Sequence, residues 1–202
     1  MIKSIYLDMD DVLVDTCRSL CDLHGIKSPY DNSVNHGVYE FHSLVGFTHE
    51  EMWDLNWMAW ATLKPMKWAQ YLVALSCDLV GKDNVYMLSA PMVSEGCCYG
   101  KQKWIEYYFP NFADRLILTK AKYSCVPNDG LLFDDSQSNE EEFKKRDKQK
   151  SFYLFPSLNN RKAREFMKLD SNPSLITDIF NIATGQLDLA FSDYNPIKWN
   201  EV

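Results

Sequence analysis

Acidic residues follow two apolar segments that have the composition of buried strands. The segment IKSIYLD leads into Asp8, Asp10 and Asp11, and the segment GLLFDD ends in Asp134 and Asp135. Carboxylates a few ångströms apart repel one another unless a cation compensates their charge. Oxygen ligands without cysteine or histidine favour Mg²⁺ over zinc or copper. A single aspartate at a strand end is more typical of a helix cap or turn, but two separate clusters predict a magnesium site.

Such a site supports chemistry on a phosphate group. A carboxylate beside Mg²⁺ can attack phosphorus and form an aspartyl-phosphate, because the metal neutralises the repulsion between the two anions. Two acids separated by one residue can divide the work, with Asp8 as nucleophile and Asp10 as general acid and base. Ser89, in the strand-like segment NVYMLSAP, can donate its hydroxyl to a phosphoryl oxygen, and a lysine can hold another. The predicted reaction is phosphomonoester hydrolysis.

Five strand-like segments must position these residues. They alternate with helix-like segments, a pattern that predicts a parallel sheet with helices on both faces, a Rossmann-like three-layer α/β sandwich. In such sheets active residues gather at the carboxyl ends of the strands. A helical block stands between the first two strands, so we expect a small cap over the site. The predicted division is a core of 1–15 and 81–202 with a helical cap of 16–80. The strand-like segments are IKSIYLD, NVYMLSAP, RLILT, GLLFDD and SFYLFP.

Aromatic residues are frequent in the cap segment. HEEMWDLNWMAWATL indicates one helix from near Thr48, on which Trp53 and Trp57 share a face. A second helix is expected from Pro65 towards Val80. The rings fit core packing between cap and body or, alternatively, a platform on which a base or another ring stacks. The aromatic C-terminal tail is expected to pack on the body, with a partner motif as the alternative.

Composition limits the other functions. The 202 residues are 46% apolar and 24% charged with a net charge of −7, typical of one globular domain or a domain with an insertion. A net-acidic chain without a run of basic residues is a poor candidate for binding a nucleic-acid polymer. No apolar stretch approaches the roughly 20 residues of a membrane span. Six cysteines without CxxC spacing predict free thiols in the cytoplasm. Four histidines without ligand spacing argue against zinc.

Together, these segments resemble the motifs of the haloacid dehalogenase superfamily. IYLDMDDVLVD is similar to the first motif, hhhhDxDxT/V, NVYMLSAP to the second and GLLFDD to the fourth, with a preceding lysine as the third. The acid at position 10 makes the first motif similar to that of the phosphatases in this superfamily, because the dehalogenases lack that acid. A closer resemblance, over residues 2–136 with the cap matching least, is to the 5′(3′)-deoxyribonucleotidase family. It rests on DMDDVLVD, SAP, KQKWI, LTKAK and LLFDD.

The resemblance to that family implies a Mg²⁺-dependent hydrolase of deoxynucleoside monophosphates. It maps the nucleophile to Asp8 and the general acid and base to Asp10. Lys101 and Lys103 are alternatives for the phosphate lysine, and a homodimer is left open. The implied magnesium ligands are the Asp8 carboxylate, the Asp10 backbone carbonyl and one of Asp134 and Asp135. The implied phosphate contacts are Ser89, the backbone at Ala90, and Lys122.

Three positions depart from the family that the chain resembles. The family has glycine at Asp11, a hydroxyl residue at Ala90 and an aromatic residue at Thr16. These departures add a charge beside the site, remove a side-chain contact to phosphate and remove a contact to a nucleobase. A sugar phosphate or another small phosphorylated metabolite is therefore an alternative substrate. A non-catalytic binding module on the same fold is a further alternative.

Overall fold

Five strands form the centre of the computed structural model, which describes residues 1–185. They are β1 (Ser4–Leu7), β2 (Val85–Ser89), β3 (Leu116–Leu118), β4 (Gly130–Asp134) and β5 (Phe152–Leu154). All neighbouring strands are parallel, and their order is β3-β2-β1-β4-β5. The five predicted strands and the α/β fold with a parallel sheet flanked by helices are confirmed. The aromatic C-terminal tail lies outside the described residues.

Helices connect the strands and cover both faces of the sheet. Within residues 1–185 the α-helices are α1 (Thr16–Leu23), α2 (Phe41–Leu44), α3 (His49–Trp53), α4 (Trp57–Ala61), α5 (Ala69–Val80), α6 (Cys97–Tyr108), α7 (Lys122–Cys125), α8 (Gln137–Lys145), α9 (Ala163–Ser171) and α10 (Ile176–Thr184). Short 3₁₀ turns occur at Pro29–Asp31, Ser33–Asn35, Lys82–Asn84, Pro110–Arg115, Gln149–Ser151 and Pro173–Leu175.

Alternate side chains of the central strand enter two separate cores. Ile5 and Leu7 of β1 lie in the larger core with Leu72 of α5. Tyr6, between them, points to the other face and lies in a smaller core with Phe143 of α8. A strand covered on both faces must be apolar at every position, which explains why the strand segments are nearly continuous apolar runs.

The aromatic part of the cap forms two short helices rather than the one that the sequence predicted. α3 begins at His49, is capped by Thr48 through a capping box, and ends at Trp53. Asn56 then caps α4, because its side-chain oxygen accepts a hydrogen bond of 3.1 Å from the backbone N–H of Ala59. The predicted shared face of Trp53 and Trp57 is therefore wrong. Trp53 instead stacks on Trp60, with ring centroids 5.8 Å apart and an interplanar angle of 17°.

The helix predicted from Pro65 begins later. Pro65 pairs with Val14 in an isolated antiparallel bridge, so the backbone there is extended and the helix starts at Ala69. This helix, α5, contacts both β1 and β2. α5 lies within the predicted cap range of 16–80 but packs on the sheet as a crossover helix. The division into core and cap stays a prediction.

Two expectations concern cysteines and membrane spans. The six cysteines all lie within the described residues, and none of them is joined to another in this structure. Along residues 1–185 no helix combines the length and the apolarity that crossing a bilayer requires. The cellular compartment stays a prediction.

Candidate functional site

The two acidic segments meet at the carboxyl edge of the sheet, where the strand order reverses. β1 and β4 are neighbours, and the backbone N–H of Asp8 continues their ladder by donating to the Phe133 carbonyl at 3.0 Å. The chain runs from β1 towards β2 on one side and from β4 towards β5 on the other, which opens a crevice between the two strand ends. A cavity of about 250 Å³ lies here and is lined by Asp8, Asp10 and Asp135.

A tight loop after β1 presents the first group of carboxylates. The Met9 carbonyl accepts hydrogen bonds from the backbone N–H groups of Val12, Leu13 and Val14, at 2.8–3.3 Å. Asp11 turns the chain with φ 53°, in the left-handed region that favours glycine and that aspartate tolerates better than most residues. With this loop geometry, Asp8, Asp10 and Asp11 all line the same cavity.

A buried lysine joins the two strand ends. Lys122 Nζ lies 2.7 Å from Asp8 Oδ2 and 2.7 Å from Asp134 Oδ2, and all three residues are buried. Burial alone lowers the pKa of Lys122, but the charges of Asp134 and Asp8 outweigh it and the net shift is upward. Because one ammonium group serves two carboxylates, burial prevails at Asp8 and raises the pKa of that group to about 7.

Three carboxylates come close enough to hold a cation. Asp8, Asp134 and Asp135 each offer an oxygen within 4.8 Å of the other two. Both Asp134 oxygens already accept hydrogen bonds, from Lys122, the Ser136 N–H and the Asn139 amide. Asp135 receives one side-chain hydrogen bond in the described structure and lines the cavity. The sequence left open whether Asp134 or Asp135 binds the metal. Asp135 is the more accessible of the two to a cation in the cavity.

A second buried lysine holds Asp10. Lys101 Nζ, from α6, lies 2.5 Å from Asp10 Oδ2, 2.7 Å from Ser89 Oγ and 2.9 Å from the Ala90 carbonyl. The Thr16 hydroxyl donates to the other Asp10 oxygen at 3.1 Å. Carboxylate oxygens retain further lone pairs, so Asp10 is fixed in place and still able to meet a ligand. Thr16, a departure from the family pattern, therefore positions an acid.

The predicted site residues come together, at two different depths. Asp8, Asp10, Asp135, Ala90 and Lys122 all line the cavity. The other two sit one layer deeper: Ser89 is fully buried against Lys101, and Asp134 is fully buried against Lys122. The sequence did not predict a role for Asn139 or Asn159, nor the contact between Lys101 and Asp10. For Lys101 the KQKWI segment was a usable signal, whereas the asparagines had none.

Aromatic side chains of the cap segment form part of the cavity wall. Tyr39, Phe41 and Trp53 line it together with His42 and His49. Trp53 packs edge-on against Phe41, with ring centroids 6.2 Å apart. Trp53 thus packs within the cap and also lines the cavity, and its role as a stacking platform stays a prediction.

Comparison with known proteins adds no assignment to this geometry. No protein-family model matches the chain, and no curated protein sequence matches it.

Asp11 makes the stability of the cation-free protein depend on pH. Its carboxylate accepts hydrogen bonds of 3.2 Å from the Cys17 N–H and from Asn159 Nδ2. Burial, reinforced by the charge of Asp15, raises the pKa of Asp11 from 3.8 to about 7. A carboxyl group whose pKa is raised by folding stabilises the folded state at low pH, and that contribution is lost as the pH rises through the folded pKa.

We therefore expect the free energy of unfolding, measured without divalent cations, to fall between about pH 4 and pH 7. Asp11→Asn, which suits the same backbone conformation, should flatten this dependence by a few kcal/mol, since one pKa unit corresponds to about 1.4 kcal/mol. Urea unfolding over a pH series measures the effect, with the exposed Asp114→Asn as control. An Asp11→Asn profile parallel to the wild type would contradict the assignment.

Proposed function

We propose that this protein is a Mg²⁺-dependent phosphomonoester hydrolase of the haloacid dehalogenase type that acts on deoxynucleoside monophosphates. One observation carries the proposal: Asp8 stands at the sheet's switch point beside Lys122, with Asp10 and Asp135 lining the same cavity. This arrangement supplies a nucleophile, a second acid and a buried positive charge within one crevice. The chain's resemblance to the 5′(3′)-deoxyribonucleotidases supports the same activity.

The donor set fits a hard divalent cation. The clustered side chains of Asp8, Asp134 and Asp135 offer only carboxylate oxygens, which Mg²⁺ prefers. Lys122 supplies one positive charge against these three buried carboxylates, so a cation of charge two would complete the compensation. When bound, Mg²⁺ would neutralise the charge between Asp8 and an incoming phosphate. Asp8 and Asp135 would hold it, with Asp134 beneath them.

The proposed reaction has two steps. In the first, an Asp8 oxygen forms a bond to phosphorus while the bond to the leaving oxygen breaks, and Asp10 gives that oxygen a proton. In the second, Asp10 takes a proton from water, which attacks phosphorus and frees Asp8. Lys101 and Thr16 keep Asp10 in one orientation during both steps. Lys122 is close enough to Asp8 to bind a phosphoryl oxygen in the same place.

The cap wall favours a leaving group with a flat ring. Tyr39, Phe41 and Trp53 line the same cavity as the carboxylates. An aromatic face binds a nucleobase by stacking, for about 1–3 kcal/mol per base, whereas a sugar phosphate offers no such ring. This wall is the reason for preferring a deoxynucleotide over the sugar-phosphate alternative.

A substrate panel with a paired tryptophan substitution tests the substrate class. Phosphate release would be measured with Mg²⁺ from deoxynucleotides, ribonucleotides and sugar phosphates. Trp53→Ala is expected to lower kcat/KM for deoxynucleotides about 10-fold or more and to leave slow release from sugar phosphates unchanged. Trp57→Ala is the matched control, because Trp57 is 41% exposed and packs on Tyr99 outside this cavity.

The panel also separates the alternatives. Preferential release from sugar phosphates, insensitive to Trp53→Ala, would retain the mechanism and reject the nucleotide substrate. Folded protein that releases phosphate from no compound in the panel would favour the non-catalytic binding module.

A further inference from the structure

Asn159 connects two buried carboxylates that lie far apart in the sequence. It belongs to the loop after β5 and is 5% exposed. Its Nδ2 donates to Asp135 Oδ2 at 2.6 Å and to Asp11 Oδ2 at 3.2 Å. Because both amide hydrogens are used on carboxylates, the orientation of the carboxamide is defined: the nitrogen faces the acids. Asn159 provides the one side-chain hydrogen bond that Asp135 receives in the described structure.

The carboxamide oxygen of Asn159 has no donor. Within the described part of the protein, Asn159 Oδ1 is buried and no protein N–H or O–H reaches it. The next residue shows the contrast: Asn160 is fully buried, donates to the carbonyls of Asp135 and Phe155, and accepts from the Lys162 N–H. All these partners of Asn160 are backbone groups of the protein itself, so its amide is satisfied without a ligand. A buried amide oxygen without a partner costs about 1–3 kcal/mol, which a bound donor would recover.

The cavity that Asn159 lines indicates what the donor is. Asn159 lines the cavity that also contains Asp8 and Asp135, two members of the carboxylate cluster. Mg²⁺ in proteins usually keeps several of its water molecules, and each of these is a strong hydrogen-bond donor. Partners outside the ligand shell orient carboxylate ligands and bound water, and their loss weakens metal binding.

We infer that Asn159 is a positioning residue of the proposed metal site: Nδ2 fixes Asp135, and Oδ1 accepts a hydrogen bond from water bound to the cation. The inference rests on the metal of the proposed function. It adds a residue, outside all the recognised motifs, that controls the affinity for the cation and the exchange of its water.

The test is direct binding of Mn²⁺, a spectroscopic substitute for Mg²⁺, to the full-length protein. Electron paramagnetic resonance of free Mn²⁺ gives the dissociation constant, and oxygen-17 relaxation gives the exchange rate of bound water. Asn159→Ala is expected to weaken Mn²⁺ binding about 10- to 100-fold and to speed water exchange. Asn181→Leu is the matched control: it removes another buried amide oxygen without a donor, on α10 and outside the cavity lining, and should change neither value.

A measurement on the wild type needs no variant to fold. On addition of Mg²⁺, the side-chain carbonyl carbon resonance of Asn159 should shift, whereas that of Asn181 should stay in place. Mn²⁺ binding and water exchange unchanged in Asn159→Ala, or an unshifted Asn159 resonance in protein saturated with Mg²⁺, would overturn the inference and leave the proposed function intact. Weaker binding with unchanged water exchange would overturn the role of Oδ1 and retain only the hydrogen bond from Nδ2 to Asp135. Failure of the wild type to bind either ion would reject the metal site and the inference together.

Discussion

Asp8→Asn should abolish phosphate release, by about 10⁴-fold or more in kcat. The reason is chemical: an amide cannot attack phosphorus as a carboxylate does, and neither Asp10 nor Asp134 is free to replace it. Asp10 is held by Lys101 and Thr16, and Asp134 is fully buried and hydrogen-bonded through both oxygens. Phosphate release from the best substrate of the panel, measured at saturating substrate and Mg²⁺, gives the result.

Stability separates this loss from unfolding. Burial raises the pKa of Asp8, so the folded protein carries the cost of a buried carboxylate that Asp8→Asn removes. The variant should therefore unfold at a urea concentration equal to or above that of the wild type at neutral pH. Asp114→Asn, the same change at an exposed position, should retain full activity. A folded Asp8→Asn protein with wild-type turnover would exclude Asp8 as the nucleophile.

Of the substitutions proposed for this site, Lys122→Met should lower the free energy of unfolding the most. Lys122 is 3% exposed and is the ammonium group between Asp8 and Asp134. Removing one partner of a buried ion pair costs about 3–5 kcal/mol, because the remaining charges stay buried without compensation. Urea unfolding in the absence of divalent cations measures the loss. Lys120→Met, two residues away and exposed, is the matched control and should change the free energy of unfolding little.

Mg²⁺ provides a second test of the same pair. If the carboxylate cluster binds the cation, Mg²⁺ should restore part of the stability that Lys122→Met removes, since it supplies positive charge at the same cluster. A Lys122→Met protein as stable as the wild type without cations would show that the ion pairs do not form in solution.

The strand ends could be predicted because their signals are local. Apolar runs of β-rich residues that stop at Asp8 or at Asp134 define buried strands, and parallel alternation places their ends at one edge. The relation between Asp134 and Asp135 could not be read from the sequence. It depends on which side chain meets Lys122 and Asn139 and which one meets Asn159.

Long-range pairings account for what the sequence did not predict. Lys101 meets Asp10 across 91 residues, and Asn159 meets Asp11 across 148 residues, so no short motif contains both partners. The break between α3 and α4 was missed for a different reason. The aromatic spacing fits one helix, but Asn56 satisfies the first turn of a new helix with its own side chain.

The most direct test of the proposal is to capture the covalent intermediate on Asp8. Wild-type protein would be mixed with radiolabelled deoxynucleotide and Mg²⁺, quenched in acid within the first turnover, digested and mapped. We expect an acid-stable, alkali-labile phosphoryl group on the peptide that contains Asp8, and none on that peptide from Asp8→Asn. Rapid phosphate release with no label on that peptide, or with label on another residue, would contradict it.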